Sequence, residues 1–150
     1  MNALWELRII AKRLNHVLDL LDPGAASQYQ HFREAAMLAH PYLRAFAAVD
    51  PSYWVGRVIL FNSQTPPHKD NRNPPAEWTP IHAGGDFTEG GSLFIEDLNL
   101  RIRYLPGDLI FIRGRLLTHG VEQWEGGQRI SAAYFTHESL WTQLSLRLSV

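Results

Sequence analysis

The sequence predicts a mainly β protein that carries helices at both ends. Up to about Val49, apolar residues recur at helical spacing. From Tyr53 onward, short runs rich in β-branched and aromatic residues alternate with Gly, Pro and Asn. Seven or eight strands at this spacing are typical of a jelly roll or a related sandwich. For 150 residues we predict one domain, with helical support over 1–50, a β core over 53–137 and a terminal helix over 139–150.

Two N-terminal helices are predicted from their apolar faces. The first face is formed by residues at three- and four-residue steps, namely Leu4, Leu7, Ala11, Leu14, Leu18 and Leu21. We expect this helix to end at the turn Asp22-Pro23-Gly24. Ser27 and Gln30 fit a capping box for the second helix, which Pro41 should kink or shorten. Because both apolar faces need a partner, we expect the two helices to pack on the outside of a sheet.

Seven strands are predicted in the second part of the chain. They are Val55–Asn62, Trp78–Ala83, Ser92–Glu96, Leu100–Leu105, Leu109–Arg113, Leu117–Val121 and Arg129–Thr136. Turn residues separate them, at Gly90-Gly91, Pro106-Gly107-Asp108, Gly114 and Gly126-Gly127. Residues 139–150 are typical of a short terminal helix.

Composition excludes several classes of protein. The chain has no cysteine, so disulfides, thiolate nucleophiles and iron–sulfur clusters are excluded, and any metal has only N and O ligands. The net charge of −1 gives no overall attraction to a polyanion. Polar residues interrupt the apolar residues at the N-terminus, and no stretch is long enough to span a membrane. We therefore expect an intracellular, soluble protein without membrane contact, in either the nucleus or the cytoplasm.

The residues with the clearest chemistry are His68, Asp70 and His119. Two imidazoles and one carboxylate can occupy one face of an octahedral ferrous ion and leave the other face open. His68 and Asp70 project to the same side if the backbone is extended, as Pro66 and Pro67 favour. A His-x-Asp pair alone is a weak signal, because short motifs occur by chance. His119, 49 residues after Asp70, supplies a third ligand from a strand that a jelly roll can bring alongside.

Arg129, ten residues after His119, is the candidate for binding an acidic cosubstrate. Its planar guanidinium forms two parallel hydrogen bonds with a carboxylate and stays charged at any working pH. Ser131 lies on the same strand face and can donate to the same carboxylate.

Together these residues resemble the iron(II)- and 2-oxoglutarate-dependent dioxygenases. The resemblance covers about 55–136 and includes His68-x-Asp70, His119, Arg129-x-Ser131 and the run Tyr104–Asp108. The segments around Asn62–His68, Gly90–Leu93 and Arg129–His137 narrow it to the fungal TET/JBP-type oxygenase domains. It implies a double-stranded β-helix, with His68, Asp70 and His119 both as the metal ligands and as the catalytic residues.

The resemblance also implies the cofactors and the reaction. Fe(II), 2-oxoglutarate and O2 would hydroxylate a substrate C–H bond, with decarboxylation of 2-oxoglutarate to succinate. Arg129, Ser131 and Asn62 are the expected cosubstrate-binding residues, although a loop-stabilising role for Asn62 is an equal alternative. The substrate is open. One alternative is a 5-methylpyrimidine in nucleic acid, in which case arginines would contact the phosphates, or in a free nucleoside. A peptide side chain or a small metabolite is the other. The arginines concerned are Arg101, Arg103, Arg113 and Arg115.

Other polar residues have a structural interpretation that we prefer to a functional one. His82 and Trp78 share a face of the second strand and are expected in core or rim packing rather than against a ligand. His137 is expected at a helix boundary, and His16, His31 and His40 belong to the helical segment.

Two other classes of protein remain as alternatives. A cupin-like module would hold a metal or small ligand in the same jelly roll without oxidation, but it has no need of Arg129. A non-catalytic interaction domain with a degenerate site would lack a ligand, and none is missing here. Hydrolytic Ser/His/Asp chemistry is excluded because the sequence has no nucleophile elbow.

Overall fold

The computed structural model describes residues 3–149, with side chains described from Leu7 onward. Over these residues the chain forms four helices, nine strands and one 3-10 turn. They divide into two compact units. One comprises the described chain up to Val55 together with the described chain from Glu138 onward, and the other is Gly56–His137.

The first unit is helical. Its helices are α1 (Ala3–Leu21), α2 (Pro23–Ala39), α3 (Leu43–Val49) and α4 (Glu138–Gln143). Aromatic packing joins α4 to α2, since the ring centroid of Trp141 lies 5.4 Å from that of Tyr29 and 4.5 Å from that of Phe32. Trp54 packs against Tyr29 from the other direction, at 5.2 Å. Both predicted N-terminal helices are therefore present.

The start of α2 differs from the prediction. α2 begins at Pro23, and the Asp22 carboxylate accepts a hydrogen bond from the backbone N–H of Ala25. Asp22 is a favourable N-cap and proline is favoured at the first helical position, so this pair starts a helix directly after α1. Ser27 is inside α2, and the predicted capping box with Gln30 is wrong. Pro41 shortens the helix as expected, because α2 ends at Ala39.

The ends of the chain also differ in detail. α4 stops at Gln143 instead of continuing to the terminus, and Ser145 adopts a left-handed conformation with φ of 56°. That conformation is incompatible with a continuing helix. Val150, which was predicted to belong to the terminal helix, lies outside the described residues. So does the side chain of Leu4, which was predicted on the apolar face of the first helix. Within residues 3–149, no helix is both long and apolar enough to cross a membrane.

The second unit consists of β strands. They are β1 (Gly56–Phe61), β2 (Thr79–Gly85), β3 (Glu89–Gly90), β4 (Leu93–Ile95), β5 (Leu100–Ile102), β6 (Leu109–Ile112), β7 (His119–Val121), β8 (Trp124–Glu125) and β9 (Arg129–Phe135). All seven predicted strands are found with shifted ends. β3 and β8 were not predicted, because two residues carry no readable alternation.

The strands form three antiparallel sheets. The largest has the order β1-β9-β2-β6, the next has the order β5-β4-β7, and β3 pairs with β8. In the largest sheet, Ser131 of β9 lies between Leu60 of β1 and Ala83 of β2. Residues from both larger sheets share one apolar core, which includes Ile81, Ala83, Phe87, Leu93, Ile95, Tyr104 and Ile112. The prediction of a β-rich body with flanking helices is confirmed. Its closure as a jelly roll, the packing of helices outside the sheet and the single domain stay predictions.

One further segment runs beside β7. His68 and His119 pair through two backbone hydrogen bonds, of 2.9 and 3.0 Å, and the N–H of Val121 donates to the carbonyl of Thr65. Gly120 makes this approach feasible. A Cβ at that position would lie 2.9 Å from the nitrogen of Pro67 and 3.0 Å from the oxygen of Thr65. The segment that carries His68 is therefore fixed along β7.

Gly120→Ala is expected to lower the free energy of unfolding by about 1–3 kcal/mol, because the added methyl must displace backbone atoms. Urea unfolding monitored by tryptophan fluorescence measures this change. Gly84→Ala is the matched control, since its nearest neighbour would be 3.8 Å away. Equal stability of the two variants would contradict the close approach.

Candidate metal centre and anion pocket

The structure brings His68, Asp70 and His119 together. Nε2 of His68 lies 3.6 Å from Oδ1 of Asp70, and the two imidazole centroids are 4.5 Å apart. One donor atom from each residue lies within 4.8 Å of the other two. Metal–ligand bonds of this kind are about 2 Å long, so the three donors can share one ion once the side chains turn toward it.

The backbone fixes both imidazole rings in the same way. Nδ1 of His68 is 3.0 Å from the carbonyl oxygen of Pro66, and Nδ1 of His119 is 2.9 Å from that of Leu117. A carbonyl only accepts, so each Nδ1 carries the proton and donates it. Each Nε2 is then left with a lone pair. This is the tautomer that a metal-binding histidine needs.

The carboxylate of Asp70 is fixed on one side only. Its Oδ2 accepts from the hydroxyl of Thr79 at 3.3 Å, and that hydroxyl accepts from the amide of Asn73 at 3.3 Å. Gly114 provides the space, because a Cβ there would lie 2.0 Å from Oδ2. Oδ1 is therefore the oxygen that is directed toward His68.

Burial differs between the two histidines. The side chain of His68 is 40% exposed, whereas His119 is 6% exposed. Burial lowers the pKa of His119, and the smaller effects of the Leu117 carbonyl and the Asp70 charge oppose that shift. His119 is consequently neutral at physiological pH, with its Nε2 lone pair retained.

A cavity of about 290 Å³ extends from these three residues. This volume is near the lower end for small-molecule sites, which are about 300–1,000 Å³. Every second residue of β9 lines one wall of the cavity, and His137, two residues beyond the strand, continues the alternation. These residues are Arg129, Ser131, Ala133, Phe135 and His137. Leu93, Tyr104 and Val121 lie on other walls.

Arg129 is a buried cation in this cavity wall. It is 1% exposed, and its Nε and Nη2 have no hydrogen-bond partner among the described residues. Its Cζ lies 5.7, 5.2 and 5.6 Å from the ring centroids of Phe87, Tyr104 and Trp124. These rings attract the cation but accept no conventional hydrogen bond. Burial lowers the pKa of Arg129, yet arginine stays protonated in proteins, so the site holds an uncompensated positive charge.

The other predicted site residues are placed as follows. Ser131 lines the cavity two residues after Arg129. Asn62 has φ of 49°, and its side-chain oxygen accepts from the backbone N–H of Arg129 at 2.8 Å, which fixes the end of the β1–β9 pair. Asn62 is not among the residues that line the cavity, and neither are His82 and Trp78. The cosubstrate contact predicted for Asn62 stays a prediction.

Three of the four clustered arginines have partners within the protein. Arg101 pairs with Glu122 at 2.6 Å, Arg113 donates to the carbonyl of Ala76, and Arg115 donates to those of Asn71 and Asn73. Their guanidinium groups stabilise loops and strand edges in this structure.

Sequence reasoning missed several residues of the cavity. His137 lies at a helix boundary as expected, directly before α4, and it also lines the cavity. Its place two residues after the end of β9, on the same alternation as Arg129 and Ser131, could have identified this second position. Thr79 and Asn73 position Asp70, and Tyr104 faces Arg129. No local pattern predicts these three roles, because each depends on residues that are distant in sequence.

Comparison with known proteins found a solved structure with a similar fold. No protein-family model matches the sequence, and no curated protein matches it. A solved structure described as NgTET1 in complex with 5mC DNA matches with a TM-score of 0.63 and 21% sequence identity. The match covers 91% of this chain and 53% of the NgTET1 chain, so this chain spans about half the length of that protein. The two share a fold, in agreement with the resemblance to TET/JBP-type domains.

Thr79→Val is expected to weaken metal binding by about 10- to 100-fold, because Asp70 loses the donor that orients it. Anaerobic calorimetric titration with ferrous iron measures the dissociation constant. Thr142→Val is the matched control, since that hydroxyl bonds within α4 to the carbonyl of Glu138. An unchanged constant for Thr79→Val would show that the hydroxyl has no part in metal binding.

Proposed function

We propose that this chain is an Fe(II)- and 2-oxoglutarate-dependent dioxygenase that hydroxylates a substrate C–H bond. One observation carries the proposal. A cavity wall holds two histidines and one aspartate with converging donor atoms, and the same cavity is lined by a buried arginine whose Nε and Nη2 have no hydrogen-bond partner among the described residues. The first group is suited to a metal ion and the second to a carboxylate.

The donor set fits ferrous iron. Two neutral imidazoles and one carboxylate form the facial triad of non-haem iron oxygenases, and such a triad leaves three positions for other ligands. In this proposal His68, Asp70 and His119 hold the metal and are the catalytic residues. When bound, the iron supplies the oxidation of the substrate by O2, coupled to decarboxylation of 2-oxoglutarate to succinate and carbon dioxide.

Arg129 fits the carboxylate of 2-oxoglutarate that is remote from its keto group. A buried charge without a counter-ion is unfavourable, so an anion that enters the cavity gains a charge-assisted hydrogen bond and removes that cost. Ser131 is positioned on the same face to donate a further hydrogen bond. A cupin-like module does not explain why the protein maintains such a cation.

The chain's own residues contribute orientation and exclusion of water. Pro66 and Leu117 fix the two imidazoles through their carbonyls, and Thr79 fixes the carboxylate. Arg129 orients the cosubstrate within the cavity. The apolar side chains Val58, Leu60 and Leu93 limit the access of water.

We also propose that the β unit is a double-stranded β-helix. Apart from the adjacent strands β4 and β5, segments of the chain alternate between the two larger sheets. β1 belongs to the first, the His68 segment pairs with β7 of the second, β2 returns to the first, and β4 and β5 lie in the second. β6, β7 and β9 continue the alternation. This exchange between two antiparallel sheets supports the proposal, because a jelly roll has connections of this kind.

For the substrate we propose a 5-methylpyrimidine in nucleic acid or in a nucleoside. Support comes from the residue resemblance and from the fold shared with NgTET1, which was solved with 5mC DNA. Because Arg101, Arg113 and Arg115 have partners within the protein, phosphate contacts from these residues would require them to exchange partners. The intracellular location stays a prediction.

The purified protein with ferrous iron, 2-oxoglutarate and ascorbate is expected to release succinate, measured by mass spectrometry. His68→Ala and Asp70→Ala should abolish this release with the fold intact, because each removes a metal ligand. His31→Ala removes an exposed histidine of α2 and is the matched control. Addition of methylated DNA, RNA or nucleosides should give a product with one added oxygen. Full activity in both ligand variants would exclude this site.

Arg129→Lys is expected to raise the dissociation constant of 2-oxoglutarate by about tenfold or more, because a two-point contact becomes a single one. Anaerobic calorimetry with the iron-loaded protein measures it. Arg101→Lys, which alters an exposed ion pair with Glu122, should leave it unchanged. Equal affinities in the two variants would assign Arg129 a structural role.

A further inference from the structure

We infer that the hydroxyl of Tyr104 is a second donor to the carboxylate that Arg129 binds, so that Tyr104 is a positioning residue for the cosubstrate. The inference rests on the proposed function and extends it to a residue outside the expected ligand-binding set. Two features of Tyr104 support it. Its hydroxyl is buried and has no hydrogen-bond partner among the residues that the structure describes, and its ring lies beside Arg129, a cation whose Nε and Nη2 also lack partners there.

The hydroxyl of Tyr104 is an unsatisfied polar group in the cavity wall. Tyr104 is 1% exposed, lines the cavity, and has no hydrogen-bond partner for its oxygen among the described residues. Buried hydroxyl groups are nearly always hydrogen-bonded, because burial without a partner is unfavourable. A ligand atom in the cavity would supply the missing partner.

Beside Tyr104, Arg129 also has donor atoms without hydrogen-bond acceptors among the described residues. Its Cζ lies 5.2 Å from the ring centroid of Tyr104, and its Nε and Nη2 also lack acceptors. The phenol and the guanidinium together present three unused donor positions. A carboxylate has about four lone-pair directions on two oxygens, so one carboxylate can accept from all three.

Tyr104 has a proton to donate at physiological pH. Burial raises its pKa above the usual value for tyrosine, and the smaller effect of the Arg129 charge lowers it. The neutral phenol therefore complements an anion. An ionised phenol would neutralise Arg129 and repel the ligand.

The backbone around Tyr104 is fixed. Immediately after it, the Asp108 carboxylate accepts from the N–H of Leu105 at 2.8 Å, and the N–H of Asp108 donates to the carbonyl of Leu105 at 3.0 Å. This closes the turn between β5 and β6. The rings of Phe87 and Trp124 also lie beside Arg129, within 5.7 Å of its Cζ, so packing holds the donors in place before a ligand arrives.

The test compares two ligands on the iron-loaded protein without oxygen. 2-Oxoglutarate has the remote carboxylate, and 2-oxopentanoate has a methyl group in its place. Tyr104→Phe should raise the dissociation constant of 2-oxoglutarate by about tenfold or more, because it removes a hydrogen bond to a charged group. It should leave that of 2-oxopentanoate unchanged. Tyr134→Phe alters another fully buried tyrosine, outside the cavity lining, and should change neither constant.

Thermal unfolding without ligand gives a second readout. Since its hydroxyl has no partner, Tyr104→Phe should melt at the temperature of the native protein or above it. 2-Oxoglutarate should then raise the melting temperature of this variant less than that of the native protein. A marked loss of stability without ligand would overturn the inference, because it would mean that the hydroxyl is bonded within the protein.

The outcomes separate this inference from the proposed function. If the native protein binds neither iron nor 2-oxoglutarate, the proposed function fails. If the native protein and Tyr104→Phe bind 2-oxoglutarate equally while Arg129→Lys does not, the function stands and the role of Tyr104 is refuted. A loss of affinity that is equal for both ligands also refutes it, because the remote carboxylate is then not what Tyr104 contacts.

Discussion

The backbone pairing of His68 with His119 is the constraint on which the rest of the site depends. Two reciprocal hydrogen bonds place these residues directly opposite each other, and Gly120 lets the two backbones approach. The pairing fixes the separation of the two rings before any metal is considered. Each ring is then turned by a carbonyl two residues earlier in its own segment. The candidate metal centre is thus a consequence of strand pairing rather than of side-chain packing.

Much of the strand pattern could be predicted from the sequence, because the alternation of β-branched residues and the turn residues are local signals. The same holds for the convergence of His68, Asp70 and His119, whose residue types and spacing suggested one site. α1 ends before Asp22 as predicted, but the start of α2 was mispredicted, because the pair Asp22-Pro23 also begins the next helix. Both interpretations use the same residues, and only the absence of a loop after α1 distinguishes them.

The surroundings of Arg129 could not be predicted, for a different reason. Its aromatic neighbours come from three separate segments, around Phe87, Tyr104 and Trp124. β8, which carries Trp124, is too short to show a periodic pattern. Likewise, the hydroxyl of Thr79 meets Asp70 only because the segment after His68 returns alongside β2. Contacts of this kind are set by tertiary structure, and a single sequence contains no local record of them.

In the proposed function, the buried charge of Arg129 also links ligand supply to the stability of the folded chain. A ligand that binds only the native state raises the protein's free energy of unfolding. Once the ligand concentration exceeds the dissociation constant, this increase grows with the logarithm of the ligand concentration. In the proposed function that ligand is a small dicarboxylate, 2-oxoglutarate, which is consumed in each turnover. If so, the fraction of unfolded molecules, and hence their exposure to proteases, falls as the concentration of that dicarboxylate rises. The ligand-free protein is then the form that unfolds and is degraded more readily.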